Sequence, residues 1–555
     1  MRLTARAESL AALGDREFDV VVVGGGITGC GVARDAALRG LRVALVEKND
    51  FASGTSSRTS RLVHGGLRYL EHGRLRLVFE SSAERRRLLR LVPHLVRPLS
   101  FTWPVYEGAR VSVWKLAAGL TLYDALALFG NVGRHRRLQP DDVVAREPAL
   151  RREGLRGGAL YYDAATDDAR LTLANALAAA AAGAIVVNYA EVRELLARET
   201  PGGVPAVNGA IVRDQLRQQD VRIRARSVVN ATGPWSDMFR RLEDAVAGVS
   251  AAGAAAAPVV RGSVGAHVAV PRARMANREA LTLLSPVDGR VMFVLPDGPL
   301  SVIGTTERPT TAPADEVRAT ARDVAYLLES ANAFFPHAGL TPSDIVSAWA
   351  GIRPLAAAGD GELGKASREH AIMRGRAGVI TISGGKLTTY RIMAAEVVDE
   401  VERGLGRHPQ RTPTASSPLP GGEIRSVESE IETARAVTAD TDVARRLVHA
   451  HGSAWRDVWQ LATETPGGSA RLVPHLPYVM AEMLYAVERE LACTLGDLLI
   501  RRTRLAFETA DHGWSLAPAI ADVVGPRLGW DAGARETELE RLRREIGRIF
   551  EIEGA

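Results

Sequence analysis

Three glycines and one acidic residue carry the clearest chemistry in the chain. In FDVVVVGGGITGCGVARDAALRGLRVALVEK, Gly24, Gly26 and Gly29 have G-x-G-x-x-G spacing, and Glu47 lies 18 residues beyond Gly29. The pattern suits a pyrophosphate. Gly24 permits a tight turn, Gly26 lets backbone approach the anion, Gly29 lets helix and strand pack closely, and the helix N-terminus faces the negative charge. A carboxylate ending the second strand, as Glu47 does, can accept hydrogen bonds from both hydroxyls of an adenosine ribose. The residues alone leave FAD and NAD both open.

The elements that must hold these groups follow from periodicity. Phe18 to Gly40 reads as strand, glycine turn and helix, and Leu41 to Glu47 as the next strand, a βαβ unit. A nicotinamide-binding domain would continue into another compact βα unit, but here NDFASGTSSRTSRLVHGGLRYLEHG follows, whose small hydroxyl residues and glycines suit a long ligand laid against backbone. A basic helix runs from Glu84 to near Pro93, and Ala-rich residues 171–183 lead into the strand AIVVNYAEV, with another strand at Ala225 to Val229. Residues 246–257 are a low-complexity loop or linker, and strand-rich sequence continues to about Thr306. Pro, Gly, Ser and Thr mark a boundary at 403–423, beyond which the pattern is helical. There are no internal repeats.

Seven separated blocks carry a resemblance: GGGITG, SSRTSRLVHGGLRYLE, NATGPWSD at 230–237, IGTTE at 303–307, AGIRPL at 350–355, SREH at 367–370 and GGKLTTYR at 384–391. Together they resemble the FAD-dependent glycerol-3-phosphate dehydrogenases, within the wider glycine-oxidase-like flavoproteins. Residues 477–507 are similar to that family's helical C-terminal domain. The fold implied is α/β: a Rossmann-like FAD-binding domain in three pieces (about 14–105, 156–245 and 350–402), a strand-rich substrate or cap domain (about 106–155 and 258–349), a linker at 403–423 and a helical domain over 424–555.

The resemblance implies noncovalent FAD. Its contacts would come from Gly24, Gly26, Ile27, Gly29, Glu47 and Lys48; from Thr55, Ser56, Ser57, Ser60, Arg61, Leu62, His64, Gly65 and Gly66; and from Val192, Ala231, Thr232, Gly233, Trp235, Gly351, Lys386, Leu387 and Thr388. It implies substrate contacts from Arg68, Tyr69, His267, Arg353, Lys386 and Thr388, with His267 and Arg353 catalytic. A guanidinium offers phosphate a bidentate fork, and an imidazole of ordinary pKa about 6.5 can accept a hydroxyl proton. The implied reaction oxidises sn-glycerol 3-phosphate to dihydroxyacetone phosphate: His267 takes the C2 hydroxyl proton, hydride passes to the flavin, Arg353 stabilises alkoxide-like charge, and Arg68 and Lys386 hold the phosphate. His64 is a rival base. A paired cation or a satisfied core histidine is the plain alternative at each position. Val264, where a basic residue is frequent, Glu307 in place of Asp, and the lack of a tryptophan after Pro296 depart from the family pattern without removing an assigned catalytic group.

Composition limits the remaining classes. With 555 residues, 46% hydrophobic and 24% charged, this is a globular chain, and 70 Lys+Arg against 65 Asp+Glu, without a nucleic-acid motif, argues against nucleic acid as partner. Cys30 and Cys493 make neither a disulfide framework nor a metal site, and the amino end lacks the apolar core of a signal peptide. A cytoplasmic location is expected. Val111 to Phe129 is too interrupted, by Lys115 and Asp124, to span a membrane. The resemblance adds a membrane quinone as acceptor, peripheral attachment to the inner face of the cell membrane, and a homodimer. Trp114, Leu120, Tyr123 and Phe129, with Arg134, Arg136 and Arg137, are the candidate membrane contacts. Oxygen as acceptor, giving hydrogen peroxide, and a non-catalytic flavin-containing binding protein are the alternatives.

Overall fold

The computed structural model describes residues 6–128, 130–201, 203–249, 258–356 and 369–554. Four consecutive valines suit a strand covered on both faces, and Val20, Val21 and Val22 are fully buried in Glu17–Val23. That strand pairs in parallel with Val43–Val46 on one side and Gln219–Asn230 on the other. Ile185–Val187 and Ile380–Gly384 extend the parallel row. Helices Ile27–Leu38, Asp168–Ala181 and Tyr390–Gly404 cover one face, and Arg6–Asp15, Ser236–Val246 and the strands Ala190–Arg198 and Ala206–Asp214 cover the other. Each fully buried valine contributes about 1.5–3 kcal/mol, which pins the strand carrying the glycine turn.

A second, ten-stranded sheet is built around Val260–Pro271, which pairs antiparallel with Leu300–Gly304 and Ser347–Ala356. It continues through Val291–Asp297, Ala280–Leu284 and Val96–Tyr106 to Leu155–Thr166. Three segments that sequence grouping assigned to the nucleotide domain, 96–105, 156–166 and 350–356, hydrogen-bond in this sheet instead. The reason is nonlocal: Phe101, Trp103, Tyr161 and Trp349 form its core together. Of the alanine-rich stretch, 250–257 lies outside the described residues, as do Ser367 and Arg368 of the SREH block.

From Val427–Thr438 to Ala532–Phe550 the chain is chiefly helical. Buried ion pairs join this part to the rest: Asp50 accepts from Arg501 Nε at 2.7 Å and Arg502 Nη1 at 2.6 Å, and Arg170 Nη2 donates to Glu490 at 2.5 Å. Removing one partner of such a pair costs about 3–5 kcal/mol. Among the described residues no helix is long and apolar enough to cross a membrane.

Candidate active site

A cavity of about 430 Å³ lies at the carboxyl ends of the parallel strands, lined by Gly24, Gly26 and Ile27, by Glu47 and Lys48, by Thr55 and Ser56, and by Val192 and Ala231 to Trp235. Gly24 has φ of 112°, and a Cβ on Gly29 would overlap the Gly24 carbonyl oxygen. Both positions therefore require glycine. Glu47 accepts from the backbone N–H of Gly25 at 2.6 Å and of Asn49 at 2.9 Å, which fixes the carboxylate while leaving lone pairs for ribose hydroxyls. Burial raises its pKa. Ser56 Oγ accepts from Ile27 N at 3.0 Å, so that amide is already partnered. At the rim, Lys48 lies 4.2 Å from the centre of the Trp235 ring, and Asp315 accepts from both side chains at 2.9 Å. A backbone cradle with a fixed carboxylate at its end fits a dinucleotide.

A second cavity, of about 370 Å³, is lined by Ser60, Leu62, His64, Gly66, Tyr69, Thr305 and Arg353 among others. Lys386, with Leu387, lines the first cavity and reaches toward the second: its Nζ lies 3.7 Å from the centre of the Tyr69 ring and 3.2 Å from Ser81 Oγ. Arg353 comes from Ser347–Ala356 and is oriented by donating to Thr305 Oγ1 at 2.9 Å and to the Thr306 carbonyl at 3.4 Å.

His267 stands mid-strand, opposite Gly304 and Trp349. Its ring stacks on Trp349 at 5.4 Å, and a Cβ on Gly304 would collide with it. Only 2% exposed, His267 does not itself form the cavity wall; its Nε2 is 2.9 Å from Ser60 Oγ, which does. Burial, then Arg353 and Arg61, push its pKa down to about 3. It is therefore a neutral imidazole with a hydroxyl between it and the pocket. Sequence reasoning assigned Ser60 to the cofactor alone and missed this link, and no spacing connects positions 60 and 267.

Several expected contacts lie elsewhere. Thr388 Oγ1 accepts from His64 N and donates to His64 O, both at 3.2 Å, so it braces the loop rather than lining either cavity. Arg61 pairs with Asp297 at 2.5 Å and lies over the Trp349 and Phe507 rings. Gly351 packs against the Arg58 backbone, Gly65 N donates to Asp163 at 3.1 Å, and Ser57 is buried outside both linings. The side chain of Arg68 falls outside the described residues. Among the described residues no group of three or more His, Cys, Asp or Glu is placed to hold a metal ion.

A glycine cradle opening beside a pocket with a buried histidine and an oriented arginine defines a flavin-dependent oxidoreductase. Residues 19–391 match the sequence profile of FAD dependent oxidoreductases, and residues 412–535 that of the C-terminal domain of alpha-glycerophosphate oxidase. Glycerol-3-phosphate dehydrogenase of Synechocystis sp. is 35% identical, over 94% of this chain and 95% of its own. The aerobic glycerol-3-phosphate dehydrogenase of Staphylococcus aureus is 33% identical, over 96% and 94%. The X-ray structure of the glycerol-3-phosphate dehydrogenase from Bacillus halodurans complexed with FAD matches with a TM-score of 0.79 at 30% identity, covering 98% of this chain and 97% of that one. The chain belongs to the glycerol-3-phosphate dehydrogenase family, and its cofactor is FAD.

Proposed function

We propose that the protein oxidises sn-glycerol 3-phosphate to dihydroxyacetone phosphate and passes the electrons to a membrane quinone. The observation that carries this reading is the cavity bordered by Arg353 and by Ser60, with His267 hydrogen-bonded behind Ser60, beside Lys386 and the dinucleotide cradle. FAD, when bound, supplies the hydride acceptor. The remaining work falls to the chain. Lys386 and Arg68 take up phosphate charge, and Arg353, held by Thr305 and Thr306, faces the charge developing on the C2 oxygen. Ser60 Oγ accepts the C2 hydroxyl proton while giving its own to neutral His267 Nε2. Anaerobic addition of glycerol 3-phosphate should bleach the flavin absorbance; an unbleached spectrum rejects the substrate. The match of residues 412–535 to an oxidase's C-terminal domain favours oxygen as a second reading of the acceptor. Comparing quinone reduction with hydrogen peroxide formation decides between them.

The reading includes peripheral attachment to the cytoplasmic face of the cell membrane. In support, the helix Val113–Leu126 rims the substrate cavity and leaves Trp114 73% exposed, with Leu122 and Leu128 also outside and Arg137 4.3 Å from the centre of the Trp114 ring. Two expected contacts, Leu120 and Tyr123, are buried instead: Leu120 packs in the second sheet's core, and Tyr123 donates to Asp163 at 2.7 Å. Phe129 is outside the described residues. Sedimentation with anionic liposomes tests attachment. Failure to co-sediment at any salt concentration rejects it, and binding that survives Arg134→Gln, Arg136→Gln and Arg137→Gln together rejects this patch.

A further inference from the structure

Ser60 both lines the substrate cavity and touches His267, so whatever directs its hydroxyl also directs the proton step. In a hydroxyl–imidazole pair the ring is commonly oriented by a third group bonded to its other nitrogen. Here His267 Nδ1 is buried without a hydrogen-bond partner among the described residues. Stacking on Trp349 sets the plane of the ring, and the direction of the hydroxyl is left to the serine's own segment. Both neighbours of Ser60 are tied down. Asp168, the first residue of the helix Asp168–Ala181, accepts through one carboxylate oxygen from Thr59 Oγ1 at 2.7 Å and from Thr59 N at 3.1 Å. Its other oxygen accepts from Ala169 N at 3.0 Å. Thr59 Oγ1 in turn accepts from Arg61 N at 2.9 Å, and Arg61 O accepts from Thr166 N at 2.8 Å. Arg61 has a φ of 55°, a left-handed conformation that an arginine keeps only where its surroundings impose it. Ser60 therefore lies in a turn closed by the Thr59 hydroxyl, and that hydroxyl is anchored on Asp168.

We propose that Asp168 is a positioning residue for the proton step: anchoring the turn through Thr59, it holds Ser60 Oγ between His267 Nε2 and the C2 hydroxyl of the substrate. The carboxylate thus serves the hydroxyl's side of the pair instead of the imidazole's. Asp168 is buried and lines neither the substrate cavity nor the dinucleotide cavity, so it acts only through its neighbours. Burial pushes its pKa up to about 6 against the pull of Arg61, and above that pH it is an ionised acceptor able to answer all three donors. The inference rests on the reading that Ser60 and His267 take the C2 proton.

Stopped-flow reduction of the flavin-loaded full chain by glycerol 3-phosphate, well above the Asp168 pKa, separates the limiting rate from half-saturation. Asp168→Ala and Thr59→Val should each lower the limiting rate by about 10-fold or more and leave half-saturation within about 2-fold, because a misplaced reacting group costs rate more than binding. Thr59→Ser keeps the hydroxyl and should recover to within about 3-fold of the parent. Thr59 also borders the dinucleotide cavity, so flavin content is measured for each variant. Where Asp168→Ala yields no flavin-loaded protein, the Thr59 pair decides. A parent-like limiting rate in Asp168→Ala or Thr59→Val, a change confined to flavin content or half-saturation, or a Thr59→Ser variant as slow as Thr59→Val overturns the inference. Ser60→Ala tells this failure from that of the underlying reading. Parent-rate reduction in Ser60→Ala rejects the Ser60–His267 proton step and the inference with it, whereas slow Ser60→Ala beside unslowed Thr59→Val rejects the inference alone.

Discussion

The dinucleotide cradle is made largely of backbone from neighbouring turns, whereas the substrate pocket is made of side chains that meet only through strand register. Gly24, Gly26 and Gly29 act by lacking a Cβ: Gly29 packs on Gly24 within one βαβ unit, and Gly24 on Ala231 at the end of the neighbouring parallel strand. His267, by contrast, depends on Gly304 for room, on Trp349 for a stacking partner and on Ser60, from a different part of the chain, for its only hydrogen bond among the described residues. The cradle should therefore fail by steric intrusion, and the pocket by loss of a single oriented group.

The largest effect is expected at the cradle. Gly29→Val drives a side chain into the Gly24 carbonyl, at a cost of about 3 kcal/mol or more, on the order of 100-fold in cofactor affinity. The purified variant should carry little flavin by its absorbance ratio, and full flavin content would break the contrast. Next comes the pocket: Arg353→Ala and His267→Ala should each slow anaerobic flavin reduction by about 100-fold or more while flavin content stays at the parent's level. Stopped-flow traces matching the parent would remove the altered residue from the chemistry.

Asp50→Asn should cost about 3 kcal/mol of stability and leave the reduction rate within about 3-fold. Burial alone would raise the Asp50 carboxyl, but Arg502 and Arg501 bring it down to about 2. Because its folded-state pKa is depressed, this stabilisation is present above the unfolded value of about 3.9 and is lost as pH falls toward about 2. The parent's melting temperature should fall across that window more steeply than the variant's; parallel curves would contradict the assignment. The smallest effect concerns His267 at rest. With its pKa lowered to about 3, it stays neutral through the range where an ordinary histidine titrates, and folded stability from this group declines as pH falls below the unfolded value of about 6.5. Labelled-histidine NMR should show no transition for His267 near that value.

How far the sequence was legible follows the same division. The valine run, the glycine spacing and Glu47 specify the cradle, because local periodicity and turn chemistry determine it. Sequence resemblance also singled out Arg353, which lines the second cavity, and His267, which lies behind Ser60. It could not show that Ser60 stands between His267 and the cavity, that Thr305 and Thr306 aim Arg353, or that Thr388 braces a loop. Those facts depend on side-chain direction across pairings far apart in sequence. Nor could it show that 96–105, 156–166 and 350–356 pair in the second sheet, since a strand's partner is not written in its own residues.

Asp50 lies three residues after Glu47, the carboxylate at the end of the cradle, and Arg501 and Arg502 grip Asp50 from the C-terminal part. Asn188 Nδ2 also donates to it at 2.9 Å. The loop that follows Glu47 is thus common property of the cradle and the tail. If FAD binding and seating of the tail are linked through this loop, the linkage is reciprocal: bound FAD favours the seated tail by the same factor as the seated tail favours FAD. Stripping flavin should make the 501–502 segment easier for a protease to reach, and loosening that segment should let flavin leak away, even though the tail lines no part of the dinucleotide cavity.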